Sequence, residues 1–562
     1  MRIAMLLCLI GAAIPARAQD DALMRAMRDE MARSMKELQI PNLEKPYFIA
    51  YRAIERENTS VAASFGALNH SNTGRSRMFS AEVRVGDYKF DNTNFFSISF
   101  DTGAGFRSAF NGNAELPLDD DYKELRRQIW LATDSAYKKA VEDFAKKRAA
   151  LQNKSHEDDI PDFSHETPVT TVDNAPPVRV DRARWEVMVR KLSALFRQAP
   201  EVFTSTVTLD AANTSTRYLN SEGFSYTRNH SAITFDATAA TQAADGGPID
   251  DFIWLYARSL SELPSEQELS ARVVALGREV SELRSAQRIE NYNGPVLFED
   301  DAAAQAFRLA FVPDLVGTRR VISDIPNFQN QSNQAESPFL DKIGARVLPV
   351  FLSVTDNPTL AEFNQTRMAG FTKVDEDGLP TRETRLIEKG ILKTLLTSRD
   401  RVRGIEQSTG SRHAGQAAPT NIIVTPENGL FAADLRAKLM ELVKERNLPY
   451  GILVRRLRTL PAPLLICKVF PDGHEEAIRG VQFVGLNAAA FKDIVAASKD
   501  QHMLTVRYNR PREAIPTFSF GEEGSTPVSL AVPSLLFEDL TIRRARGETP
   551  NPPVAKHPFF DK

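Results

Sequence analysis

The hydrophobic pattern of this chain changes near residue 290, and that change constrains the fold more than any other sequence feature. Before residue 290, stretches with helical spacing alternate with stretches of period two. After it, most apolar segments are short, have period two and are separated by Gly, Asp and Asn turns. A chain of 562 residues is also too long for one core, since domains usually hold about 100–200 residues. The sequence therefore predicts two domains, 19–290 and 291–546.

The first domain is predicted to be α+β, with antiparallel strands and helices packed on them. Four segments have helical spacing: 20–39, Asp119–Ala150, Arg184–Gln198 and 264–287. Seven segments read as strands: Tyr47–Glu55, Val61–Leu68, Ser80–Tyr88, Phe95–Phe100, Val202–Leu209, Thr214–Leu219 and Ser231–Thr238. In Ser80–Tyr88, the apolar face holds Ala81, Val83 and Val85. We expect Glu82, Arg84 and Asp87 to face water. The polar stretch 151–180 reads as a long exposed loop.

The second domain is predicted to hold a curved antiparallel or barrel-like sheet with two or three helices. The helical segments are Ala302–Val312, Ala432–Arg446 and Leu486–Ala497. The strand segments are Pro295–Phe298, Leu348–Val354, Thr384–Glu388, Ile391–Leu396, Asn421–Thr425, Ile452–Leu457, Leu464–Phe470, Ile478–Val484 and Phe537–Arg543. Residues 547–562 form a Pro-rich tail that we expect to be extended.

The N-terminus has the three parts of a secretory signal peptide. Arg2 supplies a positive charge, Ile3–Ile14 is apolar but too short to span a bilayer, and Ala16-Arg17-Ala18 is an A-x-A cleavage site. We therefore expect cleavage after Ala18, removal of residues 1–18 and a location in the periplasm or outside the cell. A buried N-terminal helix is the alternative.

The composition excludes several classes of protein. The formal net charge is −3, which argues against a nucleic-acid surface. No later segment is apolar for long enough to cross a membrane, so no span is expected after signal cleavage. Cleavage would leave Cys467 as the one cysteine, which excludes an internal disulfide.

Several segments together resemble the TldD/PmbA family, whose members have been called modulators of DNA gyrase. Each segment is weak alone, but their order and spacing make the match specific over roughly residues 200–500. The segments are Asn220-Ser221-Glu222-Gly223, Tyr292–Phe298, Asp375–Arg382, Leu386–Leu392, Ser408-Thr409-Gly410, Asp472-Gly473 and Ile478–Val481.

The acidic turn of this resemblance is the candidate signature or peptide-binding site. Its residues are Asp375, Glu376, Asp377, Gly378, Pro380 and Thr381. Gly378 accepts a positive φ and Pro380 fixes φ, so these two residues favour a tight hairpin. The three acidic residues could bind a cation or a peptide amine. A solvated acidic turn is the interpretation that we favour.

The resemblance implies two kinds of family member. The protease subunit carries H-E-x-x-x-H on a helix and a later cysteine, which together hold zinc, whereas the partner subunit keeps the fold without these residues. In this chain the helix Ala302–Val312 matches the zinc helix. An ungapped comparison places Phe307 and Val312 at the histidine positions and Arg308 at the base. No histidine lies between His230 and His413.

Other candidate ligands are weak. The His-Glu pairs at His156, His165 and His474 lack a second histidine at zinc-motif spacing, so we expect solvated residues. Cys467 lies on an apolar strand, as an ordinary buried cysteine does. His413 is a lone histidine in a polar segment, for which we expect a surface role.

The favoured hypothesis is a non-catalytic subunit of the TldE/PmbA type in an exported metalloprotease system. The resemblance implies a homodimer, or a heterodimer with a TldD-like catalytic subunit that supplies the zinc, around a chamber for unfolded peptides. No cofactor is expected in this chain itself. Two alternatives stay open. One is an active metallopeptidase with atypical zinc ligands such as Cys467, His413 and His474. The other is a stand-alone periplasmic binding or scaffold protein.

Overall fold

A computed structural model describes residues 21–96, 112–152, 160–319, 321–323, 336–413, 415–509, 525–546, 551–555 and 557–560. The predicted signal peptide, His156 and the end of the predicted strand Phe95–Phe100 lie outside these ranges. Within the described residues, no helix is both long and apolar enough to cross a membrane.

Within the described residues, the first half of the chain forms four α-helices and eight strands. In chain order they are α1 (Ala22–Glu37), β1 (Pro46–Ser64), β2 (Ala67–Val85), β3 (Phe95–Phe96), β4 (Asn113–Glu115), α2 (Tyr122–Leu151), β5 (Thr170–Asn174), α3 (Arg182–Ala194), β6 (Thr204–Asn220), β7 (Ser225–Gln242), β8 (Pro248–Ala257) and α4 (Glu266–Leu283). All four predicted helices are therefore present. Acidic side chains cap the first three, as at Asp121, whose carboxylate accepts the backbone N–H of Glu124 at 2.9 Å. Ser265 and Glu268 form a capping box on α4.

The first sheet runs in the order β4-β2-β1-β6-β7-β5, and β8 also pairs with β7. Its pairs are antiparallel except that between β5 and β7. One face is apolar and carries all four helices. Ile49 and Phe79 pack against α1 and α2, and Leu209 and Phe235 pack against α3 and α4.

Two details of the first half differ from the prediction. The predicted strand Val61–Leu68 is interrupted by the turn Phe65-Gly66, where both residues have positive φ and β1 reverses into β2. The predicted exposed loop 151–180 contributes the strand β5, and Asp162, Phe163 and Ser164 within it are buried. The hydrophobic pattern of so short a segment does not reveal that the second half of the chain covers these three residues.

The second half of the chain forms two helices and sixteen strands in the described residues. In chain order they are β9 (Asn291–Phe298), α5 (Asp300–Ala310), β10 (Ile322–Ser323), β11 (Leu352–Asp356), β12 (Glu362–Phe363), β13 (Thr366–Arg367), β14 (Thr384–Glu388), β15 (Ile391–Leu392), β16 (Arg412–His413), β17 (Gln416–Ala417), β18 (Asn421–Pro426), α6 (Ala432–Glu445), β19 (Gly451–Leu457), β20 (Pro463–Val469), β21 (Glu475–Ile478), β22 (Val481–Val484), β23 (Ile494–Asn509) and β24 (Ser525–Arg544).

The second sheet has eleven strands in the order β15-β14-β11-β18-β24-β9-β19-β20-β21, with β22 and β23 also paired to β24. The pairs β18–β24 and β9–β19 are parallel, and the other pairs are antiparallel. The sheet stays open among the described residues, with β15 and β21 at its ends. Alternate residues of β9 serve two cores: Val296 and Phe298 pack towards α5, and Leu297 packs towards α6. The fold is thus α+β, as predicted.

The predicted helix Leu486–Ala497 is wrong. Only Ala488–Asp493 is helical, in the tighter 3₁₀ form, and the chain then enters the 16-residue strand β23. Its alanines favour a helix, but β24 offers a long partner strand. Pairing with a distant segment overrides the local preference.

Candidate functional site

The acidic turn lies between the two halves of the molecule. Val374 and Pro380 bridge across it, and Gly378 has a φ of +83°, as expected for a tight turn. One carboxylate oxygen of Asp375 accepts the backbone N–H groups of Asp377 at 2.9 Å and Leu379 at 3.0 Å. The prediction of a hairpin is therefore confirmed at this turn.

The expectation that the acidic turn is solvated is wrong for two of its carboxylates. Asp375 is fully buried and Asp377 is 3% exposed. The neighbouring Val374 and Leu379 join an apolar cluster with side chains of the first sheet, among them Phe48 and Tyr226. The turn is buried because the face of the first sheet opposite its helices is covered by the second half.

Arginines compensate the buried carboxylates of this interface. Arg412 lies 3.2 Å from Asp377 and 3.4 Å from Glu82, and its backbone N–H is 3.2 Å from Asp375. Burial raises the pKa of Asp375, and the adjacent Asp377 raises it further. Burial also raises the pKa of Asp377, although Arg412 opposes that effect.

Arg84 is the clearest correction to the prediction for β2. It was expected to face water, but it is 1% exposed, and its guanidinium lies 3.7 Å from the ring of Phe163. It pairs with Asp91 at 3.2 Å and with Asp400 of the second half at 2.9 Å. The polar face of this strand is therefore part of the interface between the halves. In contrast, Ala81, Val83 and Val85 are in the helix-covered core, as predicted.

Glu376 connects the acidic turn to a cleft. Its carboxylate pairs with Arg52 of β1 at 3.2 Å and accepts the backbone N–H of Gly415 at 2.8 Å. The cleft has a volume of about 730 Å³. The polar face of the first sheet forms one wall, through β1, β6, β7 and β8. Loops of the second half, including 367–372 and 413–420, form the other.

The cleft is rich in cationic side chains. The arginines that line it are Arg52, Arg56, Arg228, Arg258 and Arg367. Among the described residues, two carboxylates line it, Asp173 and Glu376. The sequence did not reveal this set, because the arginines come from three separate strands, β1, β7 and β13, and from the residue that follows β8. Alternation along β1 could have shown that Arg52 and Arg56 share a face of the sheet. It could not have shown which segment of the second half covers that face.

His413 is buried, and the expected surface role is wrong. It is 7% exposed on the short strand β16 and lines the cleft. Burial lowers the pKa of His413 to about 4. His230 of β7 also lines the cleft, where burial, and then Arg228, Arg258 and Arg56, lower its pKa to about 3.

The three weak metal candidates do not come together. Cys467 is buried on β20 as a free cysteine, as predicted, and burial raises its pKa. His474 is exposed, stacks on Phe470 and pairs with Asp472, whereas His413 lies in the cleft. Across the described parts of the chain, no group of three or more His, Cys, Asp or Glu side chains is placed to hold a metal ion.

The positions that align with the family's zinc helix, on α5 and in the turn that follows it, are equally unsuited to zinc. Phe307 and Val312 are 1% and 0% exposed and belong to the core of the second half. Arg308 donates a hydrogen bond to Gln305 at 2.9 Å. Neither an aromatic nor an aliphatic side chain can ligate zinc, so these residues do not fit the family's metal.

A second, smaller cavity of about 280 Å³ lies beside α5. Asp301 and Gln305 line it, together with Arg272, Glu279 and Arg456. Burial raises the pKa of Asp301. Sequence analysis missed these residues, although Asp301 and Gln305 are one helical turn apart and therefore share a face.

The fold as a whole is that of three solved structures. A candidate DNA gyrase modulator from Thermotoga maritima has 16% identity and a TM-score of 0.57, with 92% of this chain and 99% of that chain covered. TldE from Thermococcus kodakarensis has 14% identity and a TM-score of 0.56 over 92% and 99%. A candidate DNA gyrase modulator from Bacteroides thetaiotaomicron has 12% identity and a TM-score of 0.56 over 92% and 98%. At such identities the likeness shows a shared fold.

Sequence similarity adds the family. Residues 293–463 match the PmbA/TldA metallopeptidase C-terminal domain. No curated protein matches the sequence. The domain match assigns residues 293–463 to the PmbA/TldD family, and the fold of the whole chain agrees with that match.

Proposed function

We propose that this chain is a non-catalytic, peptide-binding subunit of the TldD/PmbA family. One observation carries the proposal. The assigned zinc-ligand positions, one on α5 and one just after it, are occupied by the core residues Phe307 and Val312, whereas a cleft of about 730 Å³ lies between the two halves. A large cavity with a few convergent polar groups is the default binding site of a protein.

An extended peptide suits this cleft because the edge of β7 has a gap there. The strand β5 pairs with residues 225–229 of β7, and β8 pairs with residues 233–242. Residues 230–232 of this edge therefore pair with no described strand, and His230 and Ser231 line the cleft. A peptide that enters at the gap can pair its backbone with the sheet, which gives affinity with little sequence preference.

In this proposal the zinc chemistry belongs to a TldD-like partner that carries H-E-x-x-x-H. The two chains form a heterodimer, and this chain helps to enclose and bind the unfolded substrate. The first test co-expresses this chain with a TldD-like subunit from the same genome. We expect the two to co-purify, with zinc and with cleavage of an unfolded peptide. This chain alone is expected to show neither zinc nor cleavage.

The outcomes of this test separate the alternatives. Stoichiometric zinc on this chain alone that disappears in Cys467→Ser or His413→Asn would establish an atypical metallopeptidase. The matched control is His70→Asn, because His70 is an exposed histidine that is neither a candidate ligand nor part of the cleft lining. Recovery only as a homodimer that binds peptide without a protease partner would instead indicate a stand-alone binding protein.

We also propose that the chain is exported, with cleavage after Ala18. The support is the sequence pattern of Arg2, the apolar run Ile3–Ile14 and the site Ala16-Arg17-Ala18. Cell fractionation should place the protein outside the cytoplasm, and N-terminal sequencing should begin at Gln19. An Ala16→Arg/Ala18→Arg double variant should accumulate as precursor. A cytoplasmic wild-type protein that begins at Met1 would contradict the proposal.

A further inference from the structure

We propose that the cleft recognises a peptide carboxylate, through Arg228 and Arg258. This inference deepens the proposed function and rests on it, since it names the class of peptide that the cleft takes. Five arginines against two carboxylates line the cleft, and this imbalance leaves positive charge for an anionic ligand.

Two of the five arginines already have carboxylate partners. Arg52 pairs with Glu376 at 3.2 Å, and Arg367 lies 3.5 Å from Glu262. Their charges are at least partly neutralised within the protein. They hold the two halves of the molecule together more than they attract a ligand.

Among the described residues, Arg228 is held by neutral oxygens alone. Its Nη1 donates to the hydroxyl of Thr372 at 3.0 Å and to the carbonyl of Val374 at 3.2 Å, and the guanidinium lies 5.3 Å from the ring of Tyr226. Asp173 is its register partner in the β5–β7 pair, but their charged groups form no ion pair within 4 Å in the described structure. Arg228 is therefore held in a fixed position, but its charge is not neutralised by these contacts.

Arg258 repeats this arrangement directly after β8. Its Nη2 donates to the carbonyl oxygens of Ala369 at 2.7 Å and Phe371 at 3.1 Å. Its buried Nε has no hydrogen-bond partner among the described residues. No carboxylate of the described chain lies within ion-pair distance of its guanidinium. Two fixed cations thus lie beside the gap in the edge of β7, with Arg228 on β7 itself and Arg258 directly after β8.

The two histidines of the cleft give independent support. His413 is only 7% exposed, and its Nε2 has no hydrogen-bond partner among the described residues. A buried polar atom without a partner normally signals an absent water or ligand. Besides burial, the charges of Arg228, Arg258 and Arg56 lower the pKa of His230, so the local field is positive.

The chemistry of a carboxylate matches these groups. A guanidinium presents parallel N–H donors that fit the two oxygens of a carboxylate, and such charge-assisted bonds are about twice as strong as neutral ones. The carboxylate comes either from the C-terminus of a peptide or from an Asp or Glu side chain. Both sources present the same group to Arg228 and Arg258.

The test measures binding of unstructured, N-acetylated decapeptides to the full chain by fluorescence polarisation. One peptide has a free C-terminal acid and no acidic side chain, a second has a C-terminal amide and one internal Glu, and a third has the amide and Gln instead of Glu. We expect at least one of the two carboxylate-bearing peptides to bind at least about tenfold more tightly than the neutral peptide. This preference should decrease as the salt concentration rises. Comparison of the first two peptides identifies the source of the carboxylate.

Arg228→Gln and Arg258→Gln should each remove most of the preference for the carboxylate-bearing peptides over the neutral peptide. The matched control is Arg190→Gln, because Arg190 is exposed on α3 outside the cleft. Arg228→Lys keeps the charge and should retain part of the preference. If Arg228→Gln lost all binding through misfolding, the preference of the wild-type chain and the result for Arg258→Gln would still test carboxylate recognition.

The outcomes distinguish this inference from the proposed function. Equal binding of all three peptides to the wild-type chain would overturn carboxylate recognition and leave peptide binding intact. A preference that survives in both glutamine variants would overturn the role of these two arginines. Absence of binding for every peptide would overturn the proposed function itself, and this inference with it.

Discussion

The guanidinium of Arg399, in the second half of the chain, is fully buried against the carboxylate of Glu222, in the β6–β7 turn of the first half. Its Nη2 lies 2.9 Å from one carboxylate oxygen, and the side chain of Glu222 is 15% exposed. The ring of Phe163 lies 3.9 Å from the guanidinium. This pair is one of several contacts that fasten the second half to the polar face of the first sheet.

Removal of one partner of this pair should destabilise the protein strongly. Glu222→Gln leaves the Arg399 charge buried without its counter-ion, and we expect a loss of about 3 kcal/mol in the free energy of unfolding. Denaturant unfolding followed by circular dichroism would measure it. Glu282→Gln is the control, because Glu282 and Arg278 are each 69% exposed and pair at 3.7 Å. That change should cost less than about 0.5 kcal/mol, and equal losses in the two variants would contradict the role of Glu222.

The stability of the protein should fall with acid partly through His413. Its pKa is about 4 in the folded chain, below the ordinary value of 6.5, so the unfolded chain binds more protons between these pH values. Stability from this group is therefore complete above pH 6.5 and is lost as the pH falls towards 4, by about 3 kcal/mol in total. His413→Asn should flatten this part of a curve of unfolding free energy against pH. An unaltered slope in the His413→Asn variant would contradict the assignment.

Gly390 should tolerate no side chain. It has a φ of +77° in the Lys389-Gly390 turn, and a Cβ there would lie 2.3 Å from the carbonyl oxygen of Leu348. Gly473 also has a positive φ, +89°, but an added Cβ would meet nothing within 4 Å. We expect Gly473→Ala to cost about 1 kcal/mol from backbone strain alone. Gly390→Ala should cost at least about 2 kcal/mol more in thermal or denaturant unfolding, because backbone must move. Equal losses in the two variants would show that the close approach of Gly390 to the Leu348 carbonyl does not affect stability.

Phe307 should behave as a core residue. Its ring lies 4.8 Å from that of Phe311 and 5.7 Å from that of Phe491. Phe307→Ala should cost about 4 kcal/mol of unfolding free energy through lost burial and a cavity. Phe431→Ala is the control, because Phe431 is 61% exposed, and it should cost less than about 1 kcal/mol. A small loss of unfolding free energy in Phe307→Ala would contradict the alignment of α5 with the family's zinc helix.

Local features of the fold were predictable from the sequence. The helix α2 covers most of the predicted segment Asp119–Ala150, and its apolar residues from Leu125 to Phe144 are buried. The turns at Gly378 and Gly390 have the positive φ values that their sequences indicate. These features depend on residues within a few positions of one another. The helix predicted over Leu486–Ala497 failed because the pairing of β23 with β24 involves a partner that local sequence does not reveal.

The candidate site divides in the same way. The sequence by itself determined the position of the acidic turn and the absence of the zinc motif, because both are matters of residue type and spacing. Only the tertiary structure decided that Arg84, Asp375 and His413 are buried, and that Arg228 and Arg258 face one cleft. The physical reason is that alternation along a strand assigns each side chain to a face of the sheet, but what covers that face depends on a segment more than a hundred residues away.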